Sequence, residues 1–121
     1  GISVPQAMYD DFVKISEPIQ KIRPDYPFEV KVREPRKRPT RMGGTDASVF
    51  AIEGVPTLGF TTEDFKGYDF DYGEIWHTER DLYTKNIPEY QEHTATVTAI
   101  IALGVPNLDK QLSREGLYTE E

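Results

Sequence analysis

The chain has no cysteine among its 121 residues. Neither a disulfide nor a thiolate metal site can form, so any metal chemistry must rest on His, Asp and Glu. Histidine is scarce as well, with only His77 and His93. No apolar run approaches the roughly 20 residues needed to cross a bilayer, and the start lacks a signal-peptide pattern. A soluble chain with no membrane partner is expected. Positive charge is also short: 14 Lys and Arg face 21 Asp and Glu, for a net charge of -7. That balance speaks against a nucleic-acid partner, because affinity there comes chiefly from neutralising phosphates.

What is present fits one α/β unit spanning residues 1–121. A chain of this length buries roughly two-thirds of the surface it exposes unfolded, enough for a real core. The charge is uneven. Seven of the basic residues (Arg23, Lys31, Arg33, Arg36, Lys37, Arg38 and Arg41) fall between positions 23 and 41, and fifteen of the acids follow position 42. The basic loop 33–41 is either a solvated surface or a docking site for an acidic partner.

Ser3-Val4-Pro5 reads as a helix start, and Met8, Phe12, Ile15, Ile19 and Ile22 form one apolar face, predicting a helix over 4–22. Phe28, Val30 and Val32 alternate with charged residues, predicting a half-buried strand over 28–33 near a sheet edge. After the Pro and Gly punctuated loop 34–44, "TDASVFAIEG" predicts a helix with Thr45 or Asp46 as N-cap, Val49, Phe50 and Ile52 as packing residues and Gly54 as its stop. "VPTLGF" (55–60) is an apolar run suited to a buried strand. Residues 61–85, rich in aromatics and acids, have no period and predict an ordered functional loop. Asn86, Pro88 and Glu89 predict the capped start of a second long helix presenting Tyr90, Val97, Ile100 and Ile101, which "GVPNLD" ends or kinks. Strand, helix, strand implies a mixed or parallel sheet flanked by helices.

Taken singly, His77 reads as a surface or packing residue, and His93 as a satisfied residue on a helix. Their spacing makes no self-contained zinc motif. The neighbours of His77 add a pattern. Gly44-Thr45-Asp46, Gly54-Val55-Pro56 and His77-Thr78-Glu79-Arg80-Asp81 stand in the order found near the C-terminus of the two-zinc exopeptidases of peptidase family M twenty-eight, which the chain resembles over about 28–105. That family includes leucyl-type aminopeptidases and glutamate carboxypeptidases. The chain departs from it at Ala47, where the family often has histidine. "GGTD" also occurs in the two-zinc peptidases of the tripeptidase and acylamino-acid deacylase type; "HTERD" and the closing helix favour the first family.

The resemblance implies that His77 is a zinc ligand. Thr78 and Asp81 have capping-box spacing and would aim the ring, or Asp81 would accept a hydrogen bond from it. Asp46, behind Gly44, would cap its helix near the cleft or touch substrate. Trp76 reads as core packing or, with Tyr68 and Tyr72, as the wall of a side-chain pocket.

A two-zinc centre of this type takes several His, Asp and Glu ligands and a separate Glu base, and this chain offers one of them. The only adjacent Glu pair is Glu120-Glu121 at the tail. The resemblance therefore implies the C-terminal part of a phosphorylase/hydrolase-like zinc peptidase fold. A first residue of Gly1 in place of Met accords with a trimmed chain. No catalytic residue lies in this chain; two zinc ions, a peptide substrate and a periplasmic or secreted setting belong to the parent, and the missing N-terminal half is the first partner. Exposed strand edges would also favour self-association. The rival readings are a non-catalytic binding module, working through loop 33–41 or the aromatic segment 65–76, and a catalytically dead homologue.

Overall fold

In the computed structural model, which describes residues 1–61 and 63–119, the chain opens with a strand where the sequence predicts a helix start. β1 spans Ile2–Val4. Ile2 and Val4 are buried and Ser3 half-buried, the inward and outward alternation of a strand. Three residues show too little period to compete with the apolar repeat that follows, and Ser3 and Pro5 have the chemistry of a helix entry. Pro5 instead leads into one 3-10 turn at Gln6–Met8, and α1 runs over Tyr9–Ile22.

α1 buries Phe12, Ser16 and Ile19, with Asp10 and Asp11 in its first turn and Lys21 in its last, both favourable to the helix dipole. Gln20 turns the chain beyond it. Its Nε2 donates to Pro24 O at 3.3 Å and Tyr26 O at 3.1 Å, and its Oε1 accepts from Phe28 N at 3.1 Å. β2 follows at Val30–Val32, shorter than expected. It pairs parallel with β1, Ile2 opposite Val30 and Val4 opposite Val32, with α1 as the crossover.

α2 spans Ala47–Ile52, and Gly54 ends it at φ 75°, a left-handed stop that glycine takes without a Cβ clash. Its packing differs from expectation: Val49 and Phe50 are 46% and 58% exposed, and Ala51 is the buried residue. The strand expected over 55–60 is absent. Its ladder contact with the sheet is a single antiparallel bridge from Phe60 to Ile2. An apolar run becomes a strand only where a neighbour takes its N–H and C=O groups, and among the described residues this run has no more than that.

Beyond it come α3 (Tyr72–Ile75), a 3-10 turn at Tyr83–Lys85, and α4 (Pro88–Gly104). Pro88 opens α4 as expected, but the N-cap is Ile87, without a side-chain cap. Asn86 Oδ1 is buried without a partner. The reciprocal arm of the expected capping box, Glu89, is engaged by cations instead.

The core joins Ile2, Val4, Met8, Phe12 and Ile19 to Val97 and Ile101 of α4 and to Leu117. Each such side chain contributes roughly 1.5–3 kcal/mol on burial. α4 lies closely on α1, since a Cβ on Gly104 would collide with the Ile15 side chain. The result is a small mixed α/β chain with four helices and a two-stranded parallel sheet among the described residues. None of its described helices is long and apolar enough to cross a membrane.

Candidate metal centre

α3 is a single turn whose start is fixed by Asp71, the side chain of which accepts from Gly73 N at 2.9 Å. It closes with Trp76 N donating to Tyr72 O and Thr78 N donating to Ile75 O. Between those bonds His77 sits at φ 52°, a backbone region that L-residues seldom adopt. Its ring lies against Trp76, with centroids 4.2 Å apart, and Tyr72 continues the row at 6.3 Å from Trp76. His77 is exposed. No hydrogen bond among the described residues reaches either of its nitrogens, so both are available to a ligand.

Trp76 is 56% exposed and is not a core residue. The Thr78–Asp81 capping box does not form. Thr78 Oγ1 donates backward, to Glu74 O at 2.8 Å and Ile75 O at 3.0 Å, and residues 79–82 are turn and extended chain. With no helix to start, the spacing has nothing to cap. The Asp81 backbone N donates to Thr78 O, while its carboxylate touches no ring nitrogen. Asp46 stands at the N-cap of α2 as expected, but its side chain makes no cap bond; Ser48 Oγ donates to Thr45 O at 2.7 Å. A Cβ on Gly44 would meet nothing within 4 Å.

No hydrogen bond or ion pair among the described residues links Gly44 or Asp46 to the His77 turn. No three His, Asp or Glu residues among those described come together in a metal-holding group. The Glu120-Glu121 pair lies outside the described residues.

The most connected polar cluster is one the sequence pattern did not isolate. It fastens the acidic aromatic segment to α4. Lys66 Nζ lies 2.7 Å from Glu89 Oε1 and 2.9 Å from Asp25 Oδ2, and Arg23 bridges the same two carboxylates, each at 3.1 Å. Tyr68 donates to Glu89 at 3.1 Å and Tyr90 to Asp64 at 2.7 Å, while Asp64 also accepts Tyr68 N and Phe70 N. Arg23 and Lys66 both lie over the Tyr26 ring, at 4.6 and 4.8 Å. Lys66 above all holds Glu89 down to about 2. Arg23, then Lys66, holds Asp25 well below the usual carboxylate range.

Behind this cluster a cavity of about 280 Å³ opens between Phe28, Phe60, Phe65, Tyr90 and His93. His93 stacks on Tyr26 at 4.5 Å, and its Nε2 is buried without a partner. Burial, helped by Arg23, lowers its pKa. Burial also pushes the Tyr26 hydroxyl up to about 12. His77 and Asp46 do not line this cavity. The signal that could have found the cluster is the pairing of Glu89 with the basic Arg23 and Lys66 far away in sequence, which no local period displays.

No protein-family model, no curated protein and no solved structure matches the chain.

Proposed function

We propose that this chain forms the C-terminal part of a two-zinc exopeptidase domain and contributes His77 as one metal ligand. The observation that carries the reading is the backbone of His77: an exposed, hydrogen-bond-free imidazole on a left-handed residue. Non-glycine residues at positive φ cost of order 1–3 kcal/mol and gather at ligand-holding sites, where the cost is offset by function. A turn that aims a ring outward at such a cost, within the "HTERD" pattern, suits a ligand awaiting the rest of its site.

The donor chemistry fits one ligand position. A neutral imidazole is a good zinc ligand, but a catalytic zinc takes three protein ligands and an open position, so this chain alone would not hold it usefully. When bound, such an ion polarises a carbonyl and lowers the pKa of its water towards neutrality. The part assigned to this chain is narrower. His77 holds one coordination position, Trp76 fixes the ring by contact, and Thr78 ties the turn to α3. The general base and the bridging carboxylate belong to upstream sequence.

The test is hydrolysis of a leucyl anilide with zinc present. The 121-residue chain should give no turnover. The protein encoded by the complete reading frame should hydrolyse the substrate, and His77→Ala in it should reduce turnover by at least roughly 100-fold. An equally active His77→Ala parent would end the proposal. A second reading, a non-catalytic recognition module, draws on the exposed Tyr72, Trp76, Leu82 and Tyr83; it is preferred if the complete protein binds peptides but never hydrolyses them.

A further inference from the structure

In a chain with seven more acids than bases, arginines are expected to find carboxylates. Around the end of α2 they do not. A Cβ placed on Gly54 would lie 3.7 Å from Nη1 of Arg114 and 3.7 Å from both Cζ and Nη1 of Arg38, so two guanidinium groups converge over one buried glycine. Arg38 is oriented by its Nε, which donates to Ile52 O at 2.6 Å, leaving its two terminal nitrogens to other partners. Arg114 makes no side-chain hydrogen bond among the described residues.

Tyr118 ties a second pair of arginines, Arg33 and Arg36, to α2. Tyr118 donates to Ala51 O at 3.2 Å, and its backbone bridges Arg36, whose carbonyl also accepts Thr119 N. Arg33 lies beside Tyr118 with its Nε buried and unpartnered. Burial, and then Arg36, lowers the pKa of its guanidinium. None of Arg33, Arg36, Arg38 and Arg114 has a carboxylate within ion-pair distance among the described residues, although ion pairs form elsewhere on the surface.

We propose that Arg38 and Arg114, over Gly54, form a binding site for a tetrahedral oxyanion of the phosphate class, with Arg33 and Arg36 supplying flanking positive charge. Three features favour this ligand. Guanidinium groups present fixed donor forks that match phosphate oxygens in pairs. Gly54 lacks the Cβ that would otherwise narrow the floor between the two forks. A doubly charged anion also offsets the repulsion between the two guanidinium groups that meet over Gly54, which a neutral ligand does not. The site is independent of His77 and of any peptidase activity.

The experiment titrates the 121-residue protein with inorganic phosphate and, separately, with O-phosphoserine, at constant ionic strength. It follows thermal unfolding and the Nε–Hε NMR signals of Arg38 and Arg114. Both signals should shift saturably, and the unfolding midpoint should rise with phosphate but not with acetate or chloride. The tighter of the two probes assigns the source as the free ion or a phosphate ester. Arg114→Ala should weaken phosphate binding at least tenfold and raise the midpoint in low salt without phosphate, because it removes repulsion and breaks no bond. Equal stabilisation by chloride and acetate, or unchanged phosphate affinity in Arg114→Ala, would overturn the proposal. Arg38→Lys, which keeps the charge but loses the fork, should also weaken binding; full retention by it would refute the assigned geometry.

Discussion

His77 carries its ring on a backbone that favours glycine, and that gives a residue-scale test which separates folding from function. Replacing it with glycine removes an exposed side chain and the left-handed cost of about 1–2 kcal/mol. Chemical denaturation of His77→Gly should show a chain at least as stable as the parent sequence, by up to about 1 kcal/mol. A clear loss of stability would mean that the ring is held for packing. The ionisable residues give a second test. Glu89 is depressed to about 2 from 4.5, so the unfolded chain takes up that proton first; the stability contributed above pH 4.5 is lost as pH falls towards 2. His93 is lowered from 6.5, so stability is full above 6.5 and declines below it, as the unfolded chain again protonates first. Denaturation across pH should show both losses, with Glu89→Gln reducing the lower one, to which Asp25 also contributes, and His93→Phe removing the upper. At this scale the ordered motifs singled out His77, which the structure places exposed at φ 52°. Asp46 stands at the N-cap of α2 as expected, though without a side-chain bond; Asn86 falls one residue short of the N-cap of α4, and Thr78 has no helix to start, because a residue type gives capping chemistry but not the exact helix end.

α1 and α4 meet where Gly104 faces Ile15, and this contact decides between two opposing effects. Alanine in a helix is favoured over glycine by up to about 1 kcal/mol, but forcing a methyl into a packed contact costs typically 1–3 kcal/mol. Gly104→Ala should therefore destabilise the chain, by about 1 kcal/mol or more on balance, and Ile15→Val should recover part of the loss in the double variant. Additive losses would show that the two side chains are not in contact. Both long helices were readable, because Phe12, Ile15 and Ile19 on one, and Val97 and Ile101 on the other, repeat over enough turns to reveal a face. The strands were read less well. β1 is too short to show a period, and 55–60 has strand composition without a strand's neighbour. Composition records what a segment can do, whereas pairing depends on chain far away in sequence.

For the molecule as a whole, the two-stranded sheet is small for the α/β class. The outer edge of β2 meets no other strand among the described residues, and Val32 beside it is 44% exposed. Sedimentation of the chain across a concentration series should show reversible self-association, and Val32→Lys, which puts charge on the edge, should reduce it; a monomer throughout would show the edge to be inert. The large side chains Val49, Phe50, Trp76 and Tyr83 are also open to solvent. The basic cluster from 33 to 41 was visible in the sequence, but its convergence with Arg114 was not, since that depends on the C-terminal segment returning to Arg36. The central claim, that His77 is one ligand of a shared two-zinc site, is tested most directly by zinc content. Metal analysis of the complete protein should give two zinc ions per chain, with one or both lost in His77→Ala while the fold, judged by circular dichroism, is kept. Two tightly bound ions in that variant, or none in the parent sequence, would contradict it.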